Sequence, residues 1–181
     1  MDLTEQRVSG ERVLDGLIIK VDRDTVTLPD GNTSMREIVR HPGAAAVVPV
    51  LDSGKVVMVR QYRYSIGEAT LEIPAGKLDD GEEVLTCAHR ELKEETGFDA
   101  GEMVKLLPFV SSPGFTDEVI HIYLARGLRP GEAGGDDDEF IETEEVALDT
   151  LIDMILAGRI GDGKTVAGIL AAAEYLKRET R

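Results

Sequence analysis

The stretch that decides the fold reads GKLDDGEEVLTCAHRELKEETGF and runs from Gly76 to Phe98. Its central part has the periodicity of an amphipathic helix, because one face collects the apolar residues Val84, Leu85, Ala88 and Leu92. The glycine that follows this pattern, Gly97, is typical of a helix C-terminus. We therefore predict a helix over residues 82–96.

Three carboxylates share one side of this helix. Glu91, Glu94 and Glu95 are three and four residues apart, which places them within an arc of about 100°. Glu91 and Glu95 also lie beside the apolar stripe, so we expect them to be partly buried and to need a cation. Arg90 alone cannot balance three acids, and oxygen ligands favour Mg²⁺, with Mn²⁺ as an alternative. A solvated acidic face paired with Arg90 and Lys93 would explain the pattern without a metal.

Negative charge is concentrated in two parts of the chain. The 181 residues contain 20 Lys and Arg against 35 Asp and Glu, a net charge of −15. Residues 79–95 and 132–145 carry nearly all of this excess. Affinity for nucleic acids and for anionic membranes depends on cationic contacts, so we expect neither as a partner. The lone Cys87, the absence of an apolar run of ~18 residues and the lack of a basic-then-apolar leader predict a cytoplasmic protein.

The remaining periodicities indicate strands interleaved with a few helices. Strands are expected at 13–21, 25–28, 36–40, 44–51, 56–62, 70–73, 103–110 and 119–125, and helices at 148–155 and 165–178. Residues 44–51 and 56–62 flank an Asp-Ser-Gly turn and are predicted to form a hairpin. This alternation predicts an α/β fold with a mixed sheet covered by helices.

One further motif points to a different chemistry. Residues 158–165 read GRIGDGKT, which matches the phosphate-binding P-loop pattern letter for letter. A P-loop needs a preceding strand and a following nucleotide-binding sheet, but the preceding segment is helical in spacing and sixteen residues follow Thr165. We therefore predict a loop between two helices.

The fixed positions between Gly76 and Phe98 resemble the Nudix box, the 23-residue signature of the Nudix hydrolases. The resemblance implies a Nudix α/β/α sandwich and hydrolysis of a substituted diphosphate with Mg²⁺. It implies that the metal ligands are Glu91, Glu95 and the backbone carbonyl of Ala75, with Glu94 as a further ligand or catalytic glutamate.

The same resemblance assigns supporting roles within the box. Arg90 and Glu82 are expected to form an internal ion pair that fixes the loop on the helix. Gly76 is expected to permit a tight turn, and Gly97 to cap the helix in the left-handed conformation.

Outside the box, the chain is similar to the ADP-ribose pyrophosphatase subgroup. Pro113 lies fifteen residues beyond Phe98, as in that subgroup. The resemblance implies that the substrate-binding residues are Arg36, Arg63, Ser112, Pro113, Gly114 and Glu118. An ordinary turn at Pro113 and Gly114 and a surface charge at Arg63 are the alternatives that need no substrate.

An acidic loop late in the chain is expected to activate the attacking water. In relatives a mobile loop supplies a glutamate for this step, and here the candidates are Glu139 and Asp137. A solvated run of charges is the alternative. Residues 1–61 contain no Phe, Tyr or Trp, so aromatic stacking of a nucleobase on this segment is not expected.

The resemblance therefore implies a Mg²⁺-dependent enzyme that splits ADP-ribose into AMP and ribose 5-phosphate. It further implies that residues 1–41 form a β segment used in homodimerisation and that residues 42–181 form the Nudix domain. The alternatives are hydrolysis of another nucleoside diphosphate sugar, such as GDP-mannose, and a ligand-binding regulator without catalysis.

Overall fold

The computed structural model describes residues 1–131, 134 and 140–180, so the loop candidates Asp137 and Glu139 lie outside the described residues. The chain divides into two compact units, one formed by Met1–Gly43 with Val110–Val119 and the other by Ala44–Phe109 with Ile120–Arg181. The elements of the described residues are β1 (Gln6–Asp15), β2 (Lys20–Thr27), β3 (Thr33–Arg40), β4 (Ala44–Pro49), β5 (Lys55–Arg63), β6 (Glu68–Glu72), β7 (Ala75–Lys77), α1 (Val84–Thr96), β8 (Phe98–Asp99), β9 (Glu102–Val110), β10 (Val119–Arg126), β11 (Arg129–Pro130), β12 (Glu142–Ala147), α2 (Leu148–Leu156) and α3 (Gly163–Glu179).

The first unit is an antiparallel meander in the order β1-β2-β3. The strand predicted over residues 13–21 is wrong, because the chain reverses direction between Gly16 and Ile19, where the Gly16 amide donates to the Ile19 carbonyl at 3.0 Å. The segment from Val110 to Val119 joins this unit through a bridge between Val39 and Thr116. The predicted division of the chain after residue 41 remains a prediction.

The second unit contains a mixed four-stranded sheet in the order β7-β4-β10-β9 and a three-stranded sheet in the order β12-β5-β6. The predicted hairpin of β4 and β5 is wrong, since the two strands belong to different sheets. A single isolated bridge, between Val50 and Val56, lies where the chain turns from one strand to the other. Both edges of β4 are already occupied, by parallel β10 and antiparallel β7.

Alternate residues of β4 enter two different cores. Ala45 and Val47 pack with α1 through Cys87, Ala88 and Leu92. The residues of β4 that point the other way, Ala44, Ala46 and Val48, belong to a second core, which includes residues of α2 and α3 such as Leu151 and Ile169. A mixed sheet is therefore covered on both sides, and the predicted α/β class is confirmed.

Part of the second acidic stretch is a strand that sequence periodicity does not reveal. β12 pairs with β5, and there Glu144 binds Arg60 at 2.6 Å and Glu145 binds Lys55 at 3.4 Å. These acids are balanced by surface cations of the neighbouring strand. The helices predicted at 148–155 and 165–178 are confirmed as α2 and α3, and no helix of the described residues is long and apolar enough to cross a membrane.

Candidate active site

Helix α1 buries two of its carboxylates along with its apolar face. Glu91 is 8% exposed and Glu95 7% exposed, next to the buried Cys87, Ala88 and Leu92. Residues three and four positions apart lie on the same face of a helix. Glu91, which follows Cys87 and Ala88, and Glu95, which follows Leu92, therefore share the buried face. The predicted partial burial of Glu91 and Glu95 is confirmed.

Arg90 connects the carboxylates of this region. Its Nε and Nη2 donate to the two oxygens of Glu82 at 2.9 and 2.8 Å, so the expected ion pair is present and bidentate. Its Nη1 donates to Glu91 at 2.6 Å and to Glu94 at 3.0 Å. A fork of five N–H donors suits this task, which an ammonium group could not perform.

The ionisation of Glu82 follows from this contact. The hydrogen bonds from Arg90 lower the pKa of the Glu82 carboxyl to about 2, and the Asp79 amide, which donates to it at 3.1 Å, acts in the same direction. The pKa of Arg90 is correspondingly raised. The pair therefore stays ionised at neutral pH and ties the loop before α1 to the middle of the helix.

Glycines at both ends of the motif have separate roles. Gly97 has a φ of 72° and its amide donates to the Lys93 carbonyl, so the predicted left-handed helix cap is confirmed. The tight turn expected at Gly76 is wrong, because Gly76 lies within strand β7 and is not among the positive-φ residues. A Cβ at Gly76 would overlap the carboxylate of Glu91, so a larger residue there would displace that carboxylate.

The atoms of this region that could bind a metal are oxygen atoms, which are the ligands that a hard divalent cation prefers. The Ala75 amide donates to Glu95 at 3.0 Å, which brings the proposed backbone ligand next to a proposed carboxylate ligand. Among residues 1–131, 134 and 140–180, no three His, Cys, Asp or Glu side chains form a group that could hold a metal ion. Arg90 instead draws oxygens of Glu91 and Glu94 toward its guanidinium. The residue types fit a magnesium or manganese ion, and Glu91, Glu94, Glu95 and Ala75 remain proposed ligands.

A second polar cluster lies in the same unit, and sequence reasoning missed it. Glu72, at the end of β6, is 2% exposed and accepts hydrogen bonds from Arg63 at 2.8 and 2.7 Å. It also pairs with Lys164 at the start of α3. The only sequence signal was an acid inside the apolar run Leu71-Glu72-Ile73, since Lys164 is 92 residues away.

Burial alone would raise the pKa of Glu72, but the bonds from Arg63 and Lys164 outweigh it and lower the pKa to about 2. The P-loop-like residues 158–165 connect α2 to the first turn of α3, as predicted. The lysine of this segment, Lys164, binds the carboxylate of Glu72 in the same chain.

The remaining predicted substrate residues belong to the first unit. Arg36 donates to Glu5 and to the Ser34 hydroxyl, the latter at 3.0 Å. The Ser112 carbonyl accepts from the amides of Phe115 and Thr116, each at 3.1 Å, which forms the turn through Pro113 and Gly114. Glu118 lies 3.4 Å from His41. Their roles in binding remain proposals.

Comparison with known proteins shows the family to which the chain belongs. Residues 40–168 match the NUDIX domain, and the chain belongs to the Nudix family. It is 46% identical over 179 residues to a methanol dehydrogenase activator of Bacillus methanolicus, with 97% of each chain covered. It is 43% identical to an ADP-ribose pyrophosphatase of Bacillus subtilis strain 168, covering 92% of this chain and 91% of the relative. A crystal structure of an ADP compounds hydrolase shares the fold, with a TM-score of 0.87, 23% identity and coverage of 99% and 98%.

Proposed function

We propose that the protein is a Nudix pyrophosphatase that hydrolyses the diphosphate of ADP-ribose to AMP and ribose 5-phosphate. The observation that carries this proposal is the complete set of box residues, with Arg90 bound to Glu82, Glu91 and Glu94 on a helix that buries Glu91 and Glu95. The identity to the ADP-ribose pyrophosphatases of B. subtilis, 43%, and of Mycobacterium tuberculosis, 37%, supports the choice of substrate.

The carboxylates of Glu91, Glu94 and Glu95 and the carbonyl of Ala75 would hold a divalent metal, for which we propose Mg²⁺. When bound, such an ion would polarise the phosphoryl oxygens and lower the pKa of a water that it holds. Arg90 and Glu82 keep the glutamates in place. Arg63 contacts a phosphate, while Arg36, Ser112, Pro113, Gly114 and Glu118 contribute to the rest of the substrate site. Asp137 or Glu139 would orient the attacking water.

The substrate is tested by incubating the purified protein and Mg²⁺ with ADP-ribose, GDP-mannose, NADH and ATP, and identifying the products. We expect AMP and ribose 5-phosphate from ADP-ribose at the highest kcat/KM. GDP-mannose is the main competitor, because GDP-mannose pyrophosphatases are 35% identical over 147 residues. Preferred turnover of GDP-mannose would move the proposal to that substrate, and no turnover of any diphosphate would refute it.

A second candidate function comes from the B. methanolicus relative, whose name describes an activator of methanol dehydrogenase. Its 46% identity covers both compact units, so a regulatory role like that of the relative is a specific alternative. Adding the protein to a methanol dehydrogenase and measuring the rate tests it. Activation that persists in a Glu95→Gln variant would favour a role that needs no hydrolysis.

We further propose that the first unit mediates homodimerisation in a cytoplasmic protein without a nucleic-acid partner. All ten residues of β1 are exposed, and apolar side chains continue through the following turn. The exposed apolar residues of this patch are Val8, Val13, Leu14, Leu17, Ile18 and Ile19. Burying one such side chain contributes about 1.5–3 kcal/mol of favourable free energy, so packing this patch against a second copy of the chain would stabilise a dimer. The net charge of −15 supports the absence of nucleic acid.

Replacing Leu17 and Ile18 together by Asp is expected to convert the dimer to monomers, because two charges would enter the apolar contact. Sedimentation equilibrium should give twice the 19.7 kDa chain mass for the wild type and a single chain mass for the variant. Leu156→Asp is the control, since Leu156 is an exposed leucine in the other unit. A monomeric wild type, or a variant that remains dimeric, would contradict the proposal.

A further inference from the structure

The lysine of the P-loop-like segment is buried in a cluster of opposite charges. Lys164 is 8% exposed, and its ammonium lies between the carboxylates of Glu72 and Asp162, the latter at 3.0 Å. Arg63 completes the cluster from the other side of Glu72. Two cations and two anions are thus arranged in the order Arg63, Glu72, Lys164, Asp162, with no net charge.

Thr165, in the first turn of α3, also forms a hydrogen bond with Ile73, the residue directly after β6. The Ile73 amide donates to the Thr165 hydroxyl oxygen at 3.0 Å, and Asp162 accepts from the Thr165 amide at 3.0 Å as the helix N-cap. Lys164 and Thr165 therefore hold two consecutive residues, Glu72 at the end of β6 and Ile73 directly after it. The chain continues from Ile73 through Pro74 to Ala75, whose amide binds Glu95.

Arg63 meets Glu72 with only one edge of its guanidinium. Nε and Nη2 bind the two carboxylate oxygens, and Nη1 lies outside this pairing. The Arg63 side chain is 39% exposed, so part of the cation remains accessible. The negative charge of Glu95 also acts on Arg63, after the stronger effect of Glu72, and helps to raise its pKa. Arg63 is therefore within electrostatic range of the Nudix helix.

Lys164 decides how firmly Glu72 can hold Arg63. A carboxylate that is 2% exposed must have its charge compensated, and Arg63 and Lys164 share this task. Without Lys164, Glu72 would keep a single cationic partner, Arg63, and Asp162 would lose its lysine. The Glu72 carboxylate would then be fixed from one side only, so the guanidinium that it holds would be less firmly oriented.

We propose that Lys164 is a positioning residue for the substrate diphosphate, which acts through Glu72 to orient the guanidinium of Arg63. This inference rests on the proposed function, because it takes Arg63 as a phosphate contact. It gives the GDGKT sequence a role in phosphate recognition that differs from that of a P-loop, since the lysine supports the phosphate-binding residue and does not contact phosphate itself.

A double-mutant cycle tests the coupling with ADP-ribose. Lys164→Met is expected to raise KM about 10- to 100-fold, by analogy with residues that orient metal ligands, with kcat changed by less than about 3-fold. Arg63→Ala should raise KM at least as much. In the Arg63→Ala background, Lys164→Met should raise KM no further, although both proteins with the lysine replaced should have a lower Tm.

A readout without catalysis separates this inference from the proposed function. In NMR spectra, the Nε–H signal of Arg63 should be protected from exchange in the wild type. It should shift and exchange faster in Lys164→Met. Lys55→Met is the control, because Lys55 forms a surface ion pair with Glu145, and it should change neither the signal nor KM. Lys164→Arg should restore part of the protection, and Lys164→Gln replaces Lys164→Met if that variant fails to fold.

Two outcomes would overturn the inference. KM increases that multiply in the double variant would show that Lys164 acts independently of Arg63. An unchanged Arg63 signal in Lys164→Met would show the same without any substrate. If the wild type turns over no ADP-ribose but the signal responds as expected, the proposed function fails while the link from Lys164 to Arg63 stands.

Discussion

Replacing Glu95 by Gln is expected to reduce kcat for ADP-ribose about a thousandfold while leaving the fold intact. The amide has nearly the same shape as the carboxylate, and its oxygen can still accept the hydrogen bond from the Ala75 amide. It lacks the negative charge that would hold a divalent cation. A metal supplies several kcal/mol of transition-state stabilisation, and a loss of about 4 kcal/mol corresponds to about a thousandfold in rate.

The matched control for this substitution is Glu83→Gln. Glu83 lies in the same motif at the N-cap of α1, is exposed, and makes no capping hydrogen bond with its side chain. The Glu83→Gln substitution removes the same formal charge as Glu95→Gln, so a general electrostatic effect on kcat would appear in both variants. We expect Glu83→Gln to retain kcat within about 2-fold, because its side chain is exposed and is not among the proposed metal ligands. As a surface substitution it should change the free energy of unfolding by less than about 0.5 kcal/mol. Full turnover by Glu95→Gln would contradict the assignment of Glu95 as a metal ligand.

The local parts of this site could be predicted because they lie within one stretch of 23 residues. Helical periodicity alone links the apolar stripe to the buried Glu91 and Glu95. The pairing of Arg90 with Glu82, which precedes the helix, and the left-handed conformation of Gly97 follow instead from the resemblance to the Nudix box.

Features that depend on distant parts of the chain could not be predicted in the same way. The pairing of Glu72 with Lys164 joins residues 92 positions apart, and no pattern in either segment indicates the other. The assignment of β4 and β5 to different sheets follows from β10, which occupies one edge of β4 from more than 70 residues away. Apolar runs predicted both strands, but only the complete sheet decides which strands pair.

The misplaced strand at residues 13–21 has a different cause. Apolar residues lie on both sides of Gly16, so the run reads as one strand although the chain reverses there. In a strand with one buried face, polar and apolar residues alternate, and the point where the alternation stops indicates the turn. β1 has no buried face in the single chain, and its sequence therefore lacks that alternation.

Replacing Arg90 by Met is expected to have the second-largest effect, on stability as well as on activity. The substitution removes hydrogen bonds to Glu82, Glu91 and Glu94 and leaves three carboxylates without their shared cation. The cluster is only partly buried, so we expect the free energy of unfolding to fall by about 1.5–3 kcal/mol, the range for hydrogen bonds to charged groups. The activity should fall about 10- to 100-fold, because the glutamates keep their charge but lose their orientation.

The pH dependence of stability distinguishes a lost ion pair from a simple loss of packing. Arg90 lowers the pKa of Glu82 from 4.5 to about 2 in the folded protein. A carboxyl group with a depressed pKa stabilises the fold above its unfolded pKa, and this contribution disappears as the pH falls toward its folded pKa. The stability difference between wild type and Arg90→Met should therefore narrow between about pH 4.5 and pH 2. A difference that is constant over this range would indicate lost packing alone.

Two further variants complete this experiment. Lys93→Met removes a cation from the same helix, but Lys93 forms an exposed pair with Asp99, so a change of less than about 1 kcal/mol is expected. Arg90→Lys keeps the positive charge but lacks the planar fork that binds both oxygens of Glu82 while reaching Glu91 and Glu94. It should recover part of the stability and little of the activity, because activity depends on the positions of the glutamates and not only on their neutralisation. Full recovery of activity by lysine would show that Arg90 acts through its charge alone.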